Sequence, residues 1–533
     1  MNANRRDFLK SSSLAMTGAR AALAVPFIAA AARSAPSAPI ADTTAGKVRG
    51  VTANGVHAFR GIPYGADTSG KNRFMPPQKP APWKDVRDAT NWGHLAPQGL
   101  ASGNYDYTHA VQWAIKPGGM GEDCLVLNIF TTGLKDGGKR PVMFAIHGGG
   151  FANGTSHNPV FDGSALAKMG AVVVTINHRL NALGYLYLGE FAPEFAQSGV
   201  AGMMDIVLAL QWVKDNIEAF GGDPGRVMIF GQSGGGSKVC HLMAMPSAKG
   251  LFHRAAIESG ASIRTGTKQN AVASAERLMQ QLALPKARFR ELQQMPFEFI
   301  VGAAGASTGA QFSPMVDGTV VPRDPFDPDA PAISADVPLL GGSNSEDSNS
   351  GRTDFSLDEA AGLAQAKTQL GADAEKIWKA YRASAPSLAP GSLLARIASD
   401  RGIRTNTRTV IERKAALGKA PAYLYLLRWP APFMDGRYGS VHGTDVPLIF
   451  HNPELWPLTA NSPDGKKMAD YMAGAFFAFA KTGNPGTPEV PWPAYSAAQK
   501  VTMIFDTKSG AQNDPDHDLL AMLPPGGGGR GGR

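Results

Sequence analysis

Apolar and polar positions divide the first half of the chain into strand-like and helical segments. Three short apolar runs are bounded by Gly or Pro, at residues 141–147 (PVMFAIH), 171–177 (AVVVTIN) and 226–231 (RVMIFG). Runs this apolar are typical of strands that are covered on both faces. Residues 203–220 lie between the last two runs and repeat apolar positions at helical spacing. Strand, helix and strand in this order predict a parallel sheet with crossover helices.

The second half continues the sheet and adds helical segments. Residues 336–342 (DVPLLGG) and 422–429 (AYLYLLRW) are strand-like, whereas residues 266–300 and 355–418 are mostly helical in pattern and more polar. We expect these two helical stretches to be insertions over the sheet. The whole pattern predicts an α/β fold with a mostly parallel central sheet flanked by helices.

Composition and charge narrow the possible functions. The chain has 533 residues, of which 43% are hydrophobic and 18% are charged, as in an ordinary globular protein. Its formal charge is +8, but the basic residues are scattered and form no run interleaved with aromatic residues, so we expect no nucleic-acid partner. We expect no metal, because the sequence has neither a Cys/His cluster with metal-ligand spacing nor an HExxH motif. We expect no organic cofactor either.

The N-terminus resembles a twin-arginine export signal. Arg5 and Arg6 precede Phe8-Leu9-Lys10, a modestly apolar stretch and an alanine-rich run. The apolar stretch is short and interrupted by Arg20, so we expect no stable membrane anchor. Residues 1–38 are therefore predicted to be a signal and linker that engage the twin-arginine export machinery through Arg5 and Arg6. The mature protein is then expected to be periplasmic or secreted.

The two ends leave one large domain between them. We assign residues 39–522 to that domain and residues 523–533, a Gly/Arg-rich stretch, to a flexible tail. The pattern says nothing about the oligomeric state.

One stretch carries the signature of a serine nucleophile. The apolar run at residues 226–231 leads into Gly231-Gln232-Ser233-Gly234-Gly235, and a helical pattern follows. G-x-S-x-G between a strand and a helix is typical of a tight turn that exposes a serine oxygen at the edge of a sheet. The five-residue motif is common by chance, so its strand–turn–helix context carries the prediction.

A serine hydroxyl needs a base, an acid that orients the base, and donors for the oxyanion. The donors have a candidate in HGGGF, residues 147–151, directly after an apolar run. Glycines let a backbone approach a substrate and turn its N–H groups toward it. This loop and the amide of Gly234 together predict an oxyanion hole.

With these motifs in place, the chain resembles the type-B carboxylesterases, the family that includes the cholinesterases and the bacterial p-nitrobenzyl-type esterases. The resemblance extends over roughly residues 45–506 and rests on motifs in the family's order: FRGIPYG, RFMPPQKPAPW, GEDCLVLNIF, HGGGF, INHRLNALGYL, DNIEAFGGDPGRVMIFGQSGG, FHRAAIESGA, PMVDGTVVP, VHGTDVPLIF and FAKTGNPG. It implies an α/β-hydrolase fold with helical insertions over the active site, and serine hydrolysis of small-molecule carboxylic esters.

The resemblance also implies roles for single residues. Ser233 matches the family's nucleophile, His442 in VHGTDVPLIF matches its general base, and Gly149, Gly150 and Gly234 match its oxyanion-hole amides. The elbow departs from the family's GESAGG, since this chain has GQSGGG, so that the residue after the nucleophile is glycine.

The triad acid has two candidates in GGSNSEDSNSG, residues 341–351. The family's G-x-N-x-D-E-G pattern places the catalytic position on Asp347, but Glu346 stands where the family often has Asp, so the usual order of the two acids is reversed. Register favours Asp347, and the family's usual glutamate favours Glu346 as the alternative acid. Either must hydrogen-bond the imidazole and hold its tautomer.

The cysteines are a second departure. The family often pairs the cysteine of EDCL with one just upstream, but Ala96 stands near that place here. We therefore expect Cys124 and Cys240 to be free, buried thiols.

The sequence thus predicts an exported serine carboxylesterase that forms an acyl-enzyme on Ser233. One alternative is a specialised hydrolase of a single ester, lactone or carbamate. Another is a non-catalytic cholinesterase-like binding module, which the presence of both Ser233 and His442 disfavours.

Overall fold

The computed structural model describes residues 38–99, 107, 119–350 and 352–525. The predicted export signal lies outside these residues except for Ala38, and the predicted tail lies outside them from residue 526 onward. Both therefore stay predictions.

The described residues contain fourteen strands: β1 (Ile40–Asp42), β2 (Lys47–Arg49), β3 (Val51–Ala53), β4 (Val56–Pro63), β5 (Arg87–Asp88), β6 (Val126–Thr131), β7 (Arg140–Ile146), β8 (Val172–Ile176), β9 (Gly222–Gln232), β10 (Arg254–Glu258), β11 (Leu339–Asn344), β12 (Ala422–Leu427), β13 (Val501–Phe505) and β14 (Gly510–Asn513). They also contain thirteen α-helices: α1 (Ser164–Lys168), α2 (Asn181–Tyr185), α3 (Ala201–Asn216), α4 (Gly234–Ala244), α5 (Lys268–Gln281), α6 (Phe297–Ala306), α7 (Glu359–Leu370), α8 (Ala374–Ser384), α9 (Pro390–Ser399), α10 (Thr405–Ala416), α11 (Asp445–Ile449), α12 (Pro463–Thr482) and α13 (His517–Ala521).

Eleven strands form one sheet in the order β14-β13-β12-β11-β10-β9-β7-β8-β6-β4-β3. The strands from β7 to β13 are parallel to one another, and the outer strands β14, β6, β4 and β3 pair antiparallel. Strands β1, β2 and β5 form a separate small sheet. The predicted α/β class with a mostly parallel sheet is confirmed.

The predicted segments are present with shifted ends. The predicted helix at 203–220 is α3 followed by a short 3-10 turn, Ile217–Phe220, which ends at the left-handed Gly221 (φ +74°). The predicted strand at 336–342 starts later and runs on to Asn344, because its backbone keeps pairing with β12 up to Leu427. The predicted helical stretches contain α5 and α6, and α7 to α10.

Successive side chains of the central strands point into two hydrophobic cores, one on each face of the sheet. In β7, Val142, Phe144 and Ile146 belong to the hydrophobic core on one face, while Met143 and Ala145 belong to the core on the other. Every residue of β8 is buried. A strand buried on both faces has an almost continuous apolar sequence, which is the pattern that these runs show.

The carboxyl ends of the parallel strands meet at one edge of the sheet. The HGGG loop follows β7, Ser233 follows β9, and the two acids follow β11. Ligands of open α/β sheets bind outside this edge, so the fold brings the predicted site residues to one place.

Two smaller apolar clusters lie under the helical stretches. One joins α5 and α6 to α2 and its following loop, and the other joins α7, α8 and α9. No helix of the described residues is long and apolar enough to cross a bilayer.

Candidate active site

The nucleophile candidate sits in a strained turn between β9 and α4. Ser233 has φ +58° and ψ −122°, a backbone conformation that a residue with a side chain rarely adopts. The neighbouring chain is too close for larger residues, because a Cβ on Gly231 or Gly235 would lie 2.5 or 2.1 Å from the Ile146 carbonyl oxygen. The small residues around Ser233 are thus a steric requirement of the turn.

The HGGG loop lies directly against this turn. Gly149 and Gly150 have φ of +88° and +60°, which only glycine adopts without strain. A Cβ on Gly234 would lie 2.2 Å from the carbonyl oxygen of Gly150 and 2.4 Å from its Cα. The glycine after Ser233 therefore allows the loop to pack on the first turn of α4, whose leading amides have no partner within the helix.

The imidazole of His442 is held by Asp347. Its Nδ1 lies 2.6 Å from Oδ1 of Asp347, which is buried and whose Oδ2 accepts the Asn344 amide at 2.8 Å. Burial lowers the pKa of His442, but the hydrogen bond and charge of Asp347 more than offset this and leave the pKa above its ordinary value. An acid in this position fixes the tautomer with Nε2 free to accept a proton.

Glu346 points elsewhere. Its Oε1 accepts Nε of Arg396 at 2.5 Å, and its Oε2 accepts the Ser440 amide at 2.8 Å and the Ser345 hydroxyl at 2.7 Å. Glu346 thereby ties helix α9 and the segment before His442 to the end of β11. The structure brings Asp347 to the imidazole and places Glu346 in a supporting contact.

The other imidazole nitrogen of His442 contacts Gln232. Nε2 of Gln232 lies 3.0 Å from Nε2 of His442, and among the described residues Gln232 is the hydrogen-bond partner of this nitrogen. An amide N–H that donates here agrees with the tautomer set by Asp347. Hydrogen bonds between catalytic groups are often long before substrate binds, so the serine can replace this contact later.

Two further acids of this region, Asp445 and Glu258, are buried. Burial, then the charge of Asp347, raises the pKa of Asp445 to about 6, and its Oδ2 accepts the Tyr425 hydroxyl at 3.0 Å. Burial, then the charge of Asp445, raises the pKa of Glu258 well above its usual range. Asp445 adds to the negative field that favours a protonated His442.

The other buried histidines differ from His442 in their electrostatics. Burial lowers the pKa of His147 to about 3, that of His157 and His241 to about 4, and that of His178 well below its ordinary value. Each of these four histidines is therefore uncharged near pH 7. A side chain that does not exchange a proton there is a poor general base.

The described residues contain no group of three or more His, Cys, Asp or Glu side chains placed to hold a metal ion. Cys124 and Cys240 are both free and buried, which confirms the expectation from the sequence. Burial raises the pKa of both thiols, Cys240 to about 12, so neither is a reactive thiolate.

Reasoning from sequence missed four residues of this region, three of which lie within a motif already quoted. Gln232 lies in GQSGGG, Glu258 in FHRAAIESGA and Asp445 in VHGTDVPLIF, whereas Lys238 follows GQSGGG by two residues. In the sequence, the only sign of these residues is an ionisable or amide side chain among residues that are mostly small or apolar.

Fold and topology define the class: this is an α/β hydrolase, with a mostly parallel sheet and a strained serine turn at its carboxyl edge. A model of the carboxylesterase family matches residues 37–519, and the chain belongs to that family. It is therefore a carboxylic ester hydrolase.

Individual proteins agree with this assignment. The chain is 34% identical over 499 residues to a para-nitrobenzyl esterase of Bacillus subtilis (strain 168), covering 91% of this chain and 98% of that one. It is 29% identical over 516 residues to a phenmedipham hydrolase of Pseudarthrobacter oxydans, covering 91% and 99% of the two chains. The crystal structure of a carboxylesterase of Geobacillus stearothermophilus superposes with a TM-score of 0.79 at 33% identity, covering 91% of this chain and all of that one.

Proposed function

We propose that this protein is a serine esterase in which Ser233 is the nucleophile, His442 the general base and Asp347 the orienting acid. The observation that carries the proposal is the 2.6 Å contact between Asp347 and His442 beside a serine held at φ +58°. Glu346 is engaged by Arg396 and the Ser440 amide, so it is a supporting residue of the acid loop.

The reaction starts when Ser233 Oγ attacks the ester carbonyl carbon and His442 Nε2 accepts the hydroxyl proton. The incoming serine hydroxyl replaces the Gln232 amide at Nε2. The carbonyl oxygen becomes an oxyanion, which the amides of Gly149, Gly150 and Gly234 stabilise. Each such donor contributes about 3 kcal/mol in the transition state.

Collapse of this intermediate breaks the bond to the alcohol, which takes its proton from His442, and leaves an acyl group on Ser233. Water then gives a proton to His442 and attacks the acyl carbon, and the acid is released as the serine takes the proton back. Asp347 keeps the same hydrogen bond throughout and stabilises the imidazolium each time it forms.

The test is a series of kcat/KM values on p-nitrophenyl esters of rising acyl length, with Ser233→Ala as the blank. We expect turnover of the wild-type protein that is abolished in the blank, and the chain-length maximum reports the size of the acyl pocket. Rates equal to the blank would overturn the general-esterase proposal and favour a specialised substrate or a binding role.

We propose further that the protein is exported. The support is the Arg5-Arg6 motif with its following apolar and alanine-rich residues. Expression with and without Arg5→Lys/Arg6→Lys, followed by activity in the periplasmic fraction, tests this. Equal periplasmic activity from both proteins would overturn the twin-arginine route.

A further inference from the structure

Lys238 is a buried lysine at the base of the HGGG loop. It lies in α4, is fully buried, and its Nζ donates to the Gly150 carbonyl oxygen at 2.6 Å. The same Nζ lies 3.4 Å from the His147 carbonyl oxygen and 5.1 Å from the centre of the Phe151 ring. One side chain thus contacts the beginning, middle and end of the loop.

The surroundings of this ammonium are unusual. The described residues provide no carboxylate within ion-pair distance of it, and burial alone lowers its pKa to about 7. The titratable groups that face it are the histidines His147, His178 and His241, all of which are kept neutral by burial. A buried charge without a counter-ion is costly, so its retention calls for a reason beyond packing.

Gly150 is held from two positions on one face of α4. Residues 234 and 238 are four apart, so they lie one above the other on the helix. Because Gly234 has no side chain, the Gly150 backbone packs closely against it. A Cβ at position 234 would lie only 2.2 Å from the Gly150 carbonyl oxygen. Lys238 then binds the carbonyl oxygen of that same residue.

From this geometry we propose that Lys238 is a positioning residue for ester hydrolysis, which fixes the Gly150 peptide so that the loop amides face the developing oxyanion. The inference rests on the proposed serine mechanism and goes beyond it, because it assigns a role to a side chain that does not touch the substrate. In its protonated form Lys238 also places positive charge beside the site where negative charge forms.

The chain offers a matched control in Lys414. This second buried lysine, in α10, donates to the Ser334 and Ala335 carbonyl oxygens at 2.8 and 2.7 Å, and burial lowers its pKa to about 8. It has the same chemistry as Lys238 but does not contact the HGGG loop. Lys414→Met therefore reports the loss of stability from removing a buried lysine.

The experiment compares Lys238→Met and Lys414→Met with wild type in the full mature protein. Each is measured for thermal stability, for kcat and KM on p-nitrophenyl acetate, and for the Ki of a trifluoromethyl ketone, which binds as a tetrahedral oxyanion. We expect Lys238→Met to lower kcat and weaken the ketone about 100-fold, with KM changed less than about threefold, since losing an oxyanion donor has effects of this size. Lys414→Met is expected to lower stability and leave all three kinetic values unchanged.

A folded Lys238→Met protein with wild-type kcat and ketone affinity would overturn the inference while leaving the serine mechanism intact. Wild-type protein that is no more active than Ser233→Ala would overturn the proposed function instead. Should Lys238→Met fail to fold, Lys238→Ala removes the donor without adding bulk, and its kcat and ketone affinity decide the question in the same way.

A double-mutant cycle sharpens the test. Gly234→Ala places a methyl group against Gly150 and should displace the loop that Lys238 holds. We expect the losses in kcat from Gly234→Ala and Lys238→Met to be strongly non-additive, because both act on one peptide. Additive losses would show that the two positions act independently and would contradict the shared role.

Discussion

The two sides of Ser233 are built from opposite kinds of group. On the side of the proposed oxyanion hole, Nζ of Lys238 donates to the Gly150 carbonyl oxygen of the HGGG loop, and Gly234 packs against the same residue. On the histidine side stand the carboxyl groups of Asp347 and Asp445. In the proposed mechanism, attack by Ser233 creates negative charge at the carbonyl oxygen and positive charge on the imidazole, so each side already holds groups that stabilise the charge formed there.

The two acids of the loop after β11 are not equivalent either. Asp347 faces the imidazole, whereas Glu346 faces Arg396 and holds the loop in shape. Removing Asp347 should change the chemistry, and removing Glu346 should change the stability.

The largest effect is expected from Asp347→Asn. Loss of the carboxylate favours the wrong tautomer and leaves the imidazolium without its partner, so kcat on p-nitrophenyl acetate should fall about 10⁴-fold with the fold intact. The matched variant, Glu346→Gln, should keep kcat within about tenfold. The reverse ranking of the two variants would assign the acid to Glu346.

Glu346→Gln should lower the free energy of unfolding by about 2 kcal/mol, because it breaks a pair in which the carboxylate is buried and the guanidinium partly exposed. Urea denaturation of this variant beside Arg396→Met measures the loss. If Glu346→Gln, Arg396→Met and the double variant are all as stable as wild type, the pair contributes nothing to the stability of the protein.

A smaller change is expected from Gln232→Glu. The proposed mechanism needs a neutral His442 in the free enzyme. Because the pKa of His442 is raised, kcat/KM should fall as the pH drops through that raised value. A carboxylate at position 232 favours the imidazolium and should move this fall in kcat/KM, the acid limb of the pH profile, to higher pH. An acid limb that stays in place or moves to lower pH would contradict the contact between Gln232 and Nε2 of His442.

The smallest shift is expected from Asp445→Asn, which removes a charge that acts on His442 without touching it. The acid limb should move to lower pH. Because folding raises the pKa of Asp445 to about 6, its ionisation opposes folding as the pH rises toward and beyond that value. Asp445→Asn should therefore be more stable than wild type above pH 6 and lose this advantage near pH 4, which melting curves across this range would show.

Much of the scaffold could be predicted from the sequence. The apolar runs of β7, β8 and β9 have the pattern of doubly covered strands, and GQSGG and HGGGF stand directly after two of them. The strained turn at Ser233 follows from this context, since only small neighbours fit there.

The side-chain environment of the site could not be predicted in the same way. Glu346 and Asp347 are adjacent and differ by one methylene, and Glu346 is held by Arg396, which is 50 residues away. Lys238 and Gly150 are 88 residues apart, and Gln232 and His442 are 210 apart. Contacts at such separations are set by the packing of several elements and leave no periodic signal in the chain.

The most direct test of the charge-separated serine site is labelling with a fluorophosphonate, followed by intact mass and peptide mapping. We predict one label per chain, on Ser233, with a rate reduced about 10³-fold or more in Asp347→Asn and nearly unchanged in Glu346→Gln. A label on another residue, or labelling that survives in Asp347→Asn and is lost in Glu346→Gln, would contradict the account.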